Sequence, residues 1–191
     1  MSIFDALKKT VSDAAAAAKD TVKDAVNESV TFTFASLPES VDEMKALPEA
    51  ALDTPFKAAA LTVCALCAYA AAPEIGIEML NFLKGPQPLT PYELQFLRDR
   101  FADGKTYVPF SYFKGAVPGN DYTPDQPFTL TVTTNPYSFQ QDGYATLWIT
   151  SGGADSPRSV KLRAKGGTVW YLWENFLLPD IRQPKSADPW A

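Results

Sequence analysis

The hydrophobic pattern of this 191-residue sequence changes its period at Gly104. Before that glycine, apolar residues recur at helical spacing in segments separated by proline and glycine. After it, four segments alternate in a way that is typical of strands. Helices followed by antiparallel strands predict an α+β fold, in which an N-terminal helical layer packs on a four- or five-stranded, mainly antiparallel sheet.

Capping residues and apolar runs predict the helices. Residues 55–71 are almost continuously apolar, so this helix should be buried on most sides and lie at the centre of the fold. A second helix should occupy residues 73–84 and end at Gly85-Pro86. The capping boxes SLPE at residues 36–39 and TPYE at residues 90–93 predict two further helix starts.

The strands should form a meander. A short first strand is predicted at residues 30–35, and four more at residues 127–133, 144–151, 158–165 and 168–174. Gly166-Gly167 predicts a two-residue hairpin turn between the last two strands. In that register Val169, Tyr171 and Trp173 face the core, and Arg163 lies over Trp170 on the other side of the sheet.

Residues 1–29 are predicted to form an amphipathic helical arm, separate from a single domain over residues 30–191. That domain would have a helical part at about residues 36–104 and a sheet part at about residues 105–191. The apolar stripe of the arm follows an 11-residue period, which keeps it straight along a helix. The arm could pack on its own body or on a second copy, contact a membrane surface peripherally, or remain a loosely ordered leader.

Composition excludes several function classes. The formal charge of -5 argues against nucleic acid as a partner, because phosphate binding needs an excess of lysine and arginine. The absence of histidine removes catalytic triads that use it and the commonest metal ligand. No metal or cofactor is therefore predicted. The Cys64-x-x-Cys67 pair lies inside the apolar helix at residues 55–71 and is expected to serve as core packing, with a redox pair as the alternative.

The N-terminus carries Asp5 and Asp13 and lacks the apolar segment of a secretory signal. The uncharged residues 58–73 are fewer than the roughly 20 that a membrane span needs. These features predict a cytoplasmic protein.

The strand order should bring several polar loops to one end of the sheet. The residues gathered there include Asn120, Tyr122, Asp155, Ser156, Arg158 and Arg182. Backbone amides of the turn-rich sequence GGADSPR at residues 152–158, together with an arginine, could hold a small anion. Alternatively, these side chains bond to their own backbone and to one another. Aromatic residues are also dense in the loops, as in carbohydrate-binding or peptide-binding surfaces, although such rings more commonly fix loops to a core.

Several segments carry a resemblance: LPEAALDTPFKAAALTVCALCAY, MLNFLKGPQPLTPYE, YVPFSYFKGA, GGADSPR and LWENFLLPDIRQPKSADPWA. They are similar to a family of uncharacterised proteins from gut-dwelling Firmicutes, over about residues 30–191. The resemblance implies one folded unit and carries over no activity and no functional residues.

The sequence favours a non-enzymatic cytoplasmic interaction module, whose N-terminal arm mediates self-association or docking. The alternative is a domain that binds a small ligand or a glycan through the loops around Asp155 and Arg158. Catalysis by paired carboxylates is a third option, but no nucleophile, phosphate-binding or metal motif points to it.

Overall fold

The computed structural model describes residues 27–190, and the predicted arm lies largely outside this range. The described chain forms four helices and five strands. The helices are α1 (Val41–Ala46), α2 (Pro55–Ala71), α3 (Pro73–Lys84) and α4 (Pro91–Phe101). The strands are β1 (Ser29–Phe34), β2 (Phe128–Thr133), β3 (Tyr144–Ile149), β4 (Arg158–Lys165) and β5 (Val169–Asn175).

The five strands form one antiparallel sheet in the order β1-β2-β3-β4-β5. This is a meander extended by β1, which pairs with β2 after the whole helical region has intervened. The α+β prediction is confirmed. The two edges of the sheet are β1 and β5, and the edge at β5 borders the site described below.

Helix α2 is the centre of the core, as the sequence predicts. It begins at Pro55, where the Thr54 hydroxyl accepts a hydrogen bond from the amide of Lys57, and it contacts β2, β3, β4 and β5. The buried hydroxyl of Thr62 donates to the carbonyl of Ala58 at 2.8 Å, so it needs no partner outside the helix.

The two cysteines belong to the same core. Cys64 and Cys67 are both buried and unbonded, and burial raises the pKa of each thiol above its ordinary value. A thiol held in its neutral form inside a helix is a packing group. The prediction that this pair fills the core is confirmed.

Helix α3 crosses α2 at very short range. An added Cβ on Gly76 would lie 2.3 Å from the Cα atom of Tyr69, so glycine is required for this approach. The helix ends at Gly85, whose positive φ of 61° suits glycine and whose amide bonds to the carbonyls of Asn81 and Phe82.

The predicted helix start at residues 36–39 is wrong. The helix begins four residues later, where the Ser40 hydroxyl accepts from the amide of Glu43 and the Glu43 carboxylate accepts from the amide of Glu39. Both sites have the form S-x-x-E, but Pro38 disfavours the helical conformation for the residue before it. The second box is therefore the one used.

The β4–β5 hairpin is confirmed, but its predicted register is wrong. Lys165 pairs with Val169, so Thr168 is an extra residue in the turn and each pair as far as Leu162 with Leu172 slips by one. Leu172 now pairs with Leu162 and is buried, while Val169, Trp170 and Tyr171 are each half-buried against the core. A one-residue slip exchanges the faces of a strand.

A bulge shifts the register between β4 and β5 a second time, after Leu162. Lys161 pairs with Glu174, so Trp173 has no partner on β4 and projects from the outer face. The guanidinium of Arg163 lies 4.7 Å from the centre of the Trp173 ring and not over Trp170 as predicted.

The aromatic segment that follows α4 is fixed to the body, as its composition predicts. Tyr112, Phe113 and Tyr122 are buried, and the Tyr107 ring stacks on that of Tyr122 with centres 5.2 Å apart. Ser111 and Ser151 join this segment to the end of β3 through their hydroxyls, 2.7 Å apart.

Candidate functional site

The polar loop residues do converge at one end of the sheet, where they hold the C-terminal segment. The Tyr122 hydroxyl donates to the carbonyl of Arg182 at 2.5 Å, and the amide of Arg182 donates to the carbonyl of Gly153 at 2.9 Å. The Arg182 guanidinium pairs with the Asp155 carboxylate at 2.6 Å. We call this group, with Asn120, Ser156 and Arg158, the loop-end cluster.

Arg158 uses its guanidinium on nearby backbone. Its Nε donates to the carbonyl of Pro179 at 3.2 Å, one terminal nitrogen donates to the carbonyl of Asp180 at 3.0 Å, and the other donates to the carbonyl and hydroxyl of Ser156. Three loop carbonyls thus occupy the donors that an anion would need. The contacts explain Arg158 without a ligand.

Asn120 is also fully engaged within its own loop. Its amide nitrogen donates to the carbonyls of Gly115 and Thr123, and its oxygen accepts from the amide of Val117. Nearby, Asp121 accepts from both the amide and the hydroxyl of Ser186. The cluster therefore holds the C-terminal segment against the body of the protein, and we call this set of contacts the clasp. Its assignment as a ligand site remains a prediction.

The electrostatics of the cluster fit this reading. The hydrogen bond from Arg182 holds the pKa of Asp155 below its ordinary value, and the same bond raises the pKa of Arg182. Burial raises the pKa of Tyr122 to about 12, which keeps its hydroxyl protonated as a donor. These are stable donor and acceptor states rather than groups poised to exchange protons.

A different place in the fold offers open space. A groove of about 430 Å³ runs between helix α4 and strand β5, within the range of roughly 300–1,000 Å³ usual for ligand sites. We call it the α4–β5 groove. The residues that line it include Leu89, Tyr92, Phe96, Leu97, Leu172, Trp173, Phe176 and Pro179, with the polar residues Lys84, Glu93, Arg100, Glu174 and Asn175.

Two aromatic residues on the rim of the groove are exposed to solvent. Tyr92 is 80% exposed and Phe176 is 50% exposed. On α4, Tyr92, Phe96 and Arg100 follow one another at intervals of four residues, so they share the face that borders the groove. Exposed rings at the edge of an apolar depression are characteristic of binding surfaces.

The floor of the groove is crossed by one ion pair. The Lys84 ammonium lies 2.5 Å from a carboxylate oxygen of Glu93 and 3.3 Å from the backbone carbonyl of Trp173. Burial disfavours the ionised form of Glu93, but hydrogen bonds from Lys84 and Thr90 outweigh it and lower its pKa. The bulge at Trp173 turns its carbonyl to the strand edge, where Lys84 reaches it.

Strand β5 presents backbone groups to the groove. The amide of Trp170 donates to the carbonyl of Leu52 at 2.8 Å, outside the sheet, whereas the amide of Phe176 donates to Ser159 on β4. The backbone groups of successive residues point alternately to the two sides of a strand, and the bulge shifts this alternation by one residue. The backbone groups of Leu172 and Asn175 therefore also point away from β4. Because the Trp170 amide is bonded to Leu52 and the Trp173 carbonyl to Lys84, the outward groups of Leu172 and Asn175 are the ones left within residues 27–190 to pair with another chain.

One polar atom in the groove lacks a partner. The side-chain oxygen of Asn175 is buried, and no donor within residues 27–190 bonds to it. A buried carbonyl without a hydrogen bond costs roughly 1–3 kcal/mol, so such an atom calls for an explanation. Asn175 lines the groove, where a bound group could supply the missing donor.

The sequence alone does not predict this groove. The signal was present in part, because Tyr92, Phe96 and Arg100 recur at the spacing of one helical face. What could not be seen is that this face borders β5, since nothing in the spacing tells which strand a helix lies beside. The orphaned oxygen of Asn175 also depends on the bulge, which the hairpin prediction lacked.

Two further features concern metal binding and membrane crossing. Within residues 27–190, no three His, Cys, Asp or Glu side chains are grouped so that they could hold a metal ion. None of the helices in that range is both long enough and apolar enough to cross a bilayer.

The fold and the groove define an α+β protein with one antiparallel sheet and an open groove beside its last strand. The chain belongs to the family described as Domain of unknown function (DUF6935), which matches residues 36–185. That range includes all four helices and strands β2 to β5. The predicted membership of an uncharacterised family is confirmed. No curated protein and no solved structure shows significant similarity to the chain.

Proposed function

We propose that this protein is a non-enzymatic interaction module that binds an extended peptide segment of a partner protein in the α4–β5 groove. The observation that carries the proposal is the edge of β5, where the outward backbone groups of Leu172 and Asn175 lie beside an apolar groove. An extended peptide can add to such an edge, where main-chain hydrogen bonds give affinity and the adjoining pocket gives specificity.

The dimensions suit a short peptide. Residues 172–176 of the chain line the groove, and at about 3.3 Å per residue they span about 16 Å. Four or five peptide residues would match this length. The exposed rings of Tyr92 and Phe176 would cover apolar side chains of the peptide. The side-chain oxygen of Asn175 would accept a hydrogen bond from one of the peptide's amides.

The experiment selects ligands from a phage-displayed library of random linear peptides, using the full-length protein as bait. Binding of the selected peptides is then measured by isothermal titration calorimetry. The double variant Tyr92→Ala with Phe176→Ala should weaken binding at least tenfold. The matched control, Tyr137→Ala with Trp190→Ala, removes two exposed rings elsewhere and should leave affinity unchanged.

Two results would refute the proposal. One is a selection in which no peptide is enriched over a library panned on the Tyr92 and Phe176 double variant. The other is a set of peptides that bind both double variants equally well. Thermal unfolding of each variant confirms that the change lies in the groove and not in folding.

A second candidate function concerns the N-terminal arm, as the sequence suggests. At the start of β1 lies an apolar notch of about 440 Å³, whose lining includes Val30, Phe32, Phe56 and Phe139. Glu28, near the start of the described residues, also lines it. We propose that the apolar stripe of residues 1–26 docks in this notch, on its own body or on a second copy.

Deleting residues 1–26 tests the arm while keeping Glu28, whose amide bonds to Thr134. Sedimentation equilibrium of the full and shortened chains reports self-association. If the stripe docks on its own body, deletion leaves the mass at one chain and increases the binding of an apolar dye to the notch. Unchanged mass and unchanged dye binding would reject both forms of docking, and co-sedimentation with anionic liposomes tests the lipid alternative.

Cytoplasmic location belongs to the same proposal. It is supported by the two unbonded thiols in the core, since disulfides are rare where thiols are kept reduced. The small-ligand or glycan alternative at Asp155 and Arg158 is weaker, because the donors of Arg158 are already bonded to loop carbonyls and Ser156.

A further inference from the structure

We infer that the peptide bound in the α4–β5 groove is acidic and that Arg100 binds its carboxylate. The inference rests on the proposed peptide-binding function and adds the chemistry of the ligand. The carboxylate can be an Asp or Glu side chain or the C-terminus of the peptide. Both sources present the same planar pair of oxygens, which suits an arginine.

Arg100 is held in place at the groove by its own helix. Its guanidinium carbon lies 5.0 Å from the centre of the Phe96 ring, one turn earlier on α4, and both residues line the groove. A guanidinium that rests on an aromatic face loses less freedom when it binds a carboxylate. Within residues 27–190 it forms no ion pair, so its charge is available.

Arg98, two residues earlier, shows what an arginine outside the groove does. It donates to the side-chain oxygen of Gln95 at 2.8 Å and does not line the groove. Both arginines are exposed and both lie in the last turn of α4. Arg98 therefore provides a matched control that has the same charge and the same helix but a different face.

The charge around the groove favours an anionic ligand in an acidic protein. Beyond Lys84 the depression continues along β5 between Gln87 and Tyr171, where Arg163 and Lys165 add to the lining. Across both parts the cations are Lys84, Arg100, Arg163 and Lys165, against the anions Glu93 and Glu174. Glu93 is already bonded to Lys84 and Thr90, so it repels an incoming carboxylate less than a free anion would.

Asn175 supplies the other half of the recognition. Its side-chain oxygen is buried and has no donor within residues 27–190, so it would turn toward the groove and accept an N–H from the peptide. Arg100 donates only, so it would take the carboxylate. An acceptor and a donor that line one groove discriminate a peptide with a nearby carboxylate from an apolar molecule of similar size.

The test uses the peptides selected by phage display, synthesised in three forms. One has a free C-terminus, one is C-terminally amidated, and one has every Asp and Glu replaced by Asn and Gln. Loss of binding in the amidated form alone assigns the carboxylate to the chain end. Loss in the substituted form alone assigns it to a side chain, and either result supports the inference.

Charge reversal at Arg100 tests the assigned residue. Arg100→Glu should weaken binding of the unmodified peptide roughly tenfold and make that binding less dependent on salt concentration. Arg98→Glu should change the affinity less than about twofold. Equal weakening by the two variants, or full binding of both the amidated and the substituted peptide, would overturn the inference. Peptides that still depended on Tyr92 and Phe176 would then leave the proposed function intact, so the two failures are distinguishable.

Discussion

Lys84 at the end of α3 and Glu93 in the first turn of α4 form an ion pair with a separation of 2.5 Å, and the same ammonium reaches the carbonyl of Trp173. The side chain of Lys84 is 9% exposed and that of Glu93 is 31% exposed, so the lysine is largely withdrawn from water and its partner is half-buried. The pair joins α3 and α4 to the edge strand β5 beside the groove. These contacts hold the side chains of Lys84 and Glu93 in position, and both line the groove.

Glu93→Gln should destabilise the fold by about 1–3 kcal/mol at neutral pH, because it leaves the Lys84 charge without its counter-ion. The pKa of Glu93 is lowered from 4.5, so its contribution is present above that value and is lost as pH falls through the lowered pKa. Urea unfolding at a series of pH values should show the variant and the parent converging in acid. The exposed substitution Glu78→Gln is the control, and a gap that persisted in acid would contradict the assignment.

Much of this fold can be predicted from local chemistry. The ends of α3 and α4 depend on Gly85 and on the Thr90 box, which act within a few residues and are readable in sequence. The wrong helix start predicted at Ser36 also has a local cause. Two sequences of the form S-x-x-E follow one another, at Ser36 and at Ser40, and the conformational restriction imposed by Pro38 distinguishes them.

The faces of β5 and the groove depend on more than local chemistry. Thr168 and Trp173 are both extra residues, and each shifts the strand by one position relative to β4. Their placement follows from how Trp170 and Leu172 pack against helices that are distant in sequence. Alternation alone could not supply this, so Asn175 was not recognised as a buried group.

Gly76→Ala should be strongly destabilising, although alanine is the better helix former. The new methyl group would meet the backbone of Tyr69 at 2.3 Å, and backbone cannot rotate away, so α2 and α3 would have to separate. We expect a loss of about 1–3 kcal/mol or more in the free energy of unfolding, measured by urea denaturation. Gly119→Ala, where an added Cβ meets nothing within 4 Å, should be close to neutral.

Tyr122→Phe tests whether the loop-end cluster is a clasp on the C-terminal segment. Removing the hydroxyl leaves the carbonyl of Arg182 without its bond and should cost about 1 kcal/mol, with faster proteolysis after residue 178. Asp155→Ala, which removes only an exposed ion pair, should have little effect on either measurement. If Asp155→Ala proved the more damaging change, the clasp would not depend on Tyr122.

Alkaline pH should loosen the same clasp. The pKa of Tyr122 is raised to about 12, so the folded protein keeps this phenol protonated while the unfolded chain ionises near 10. Stability should therefore fall as pH rises above about 10, and Tyr122→Phe should show a smaller decline. Unfolding by urea at alkaline pH, followed by circular dichroism, measures both slopes, and parallel slopes would refute the assignment.

Asn175→Leu separates stability from function at the groove. Leucine has a similar shape and removes a buried oxygen that has no partner, so the free energy of unfolding should rise by about 1–2 kcal/mol. Asn81→Leu is the matched control, because the Asn81 oxygen accepts from the amide of Leu89 at 2.8 Å and its loss should destabilise the fold. Peptide affinity should fall in Asn175→Leu despite its greater stability, since a binding site commonly retains a group that the empty fold would be better without. A variant that was more stable and bound the selected peptides unchanged would show that Asn175 has no part in recognition.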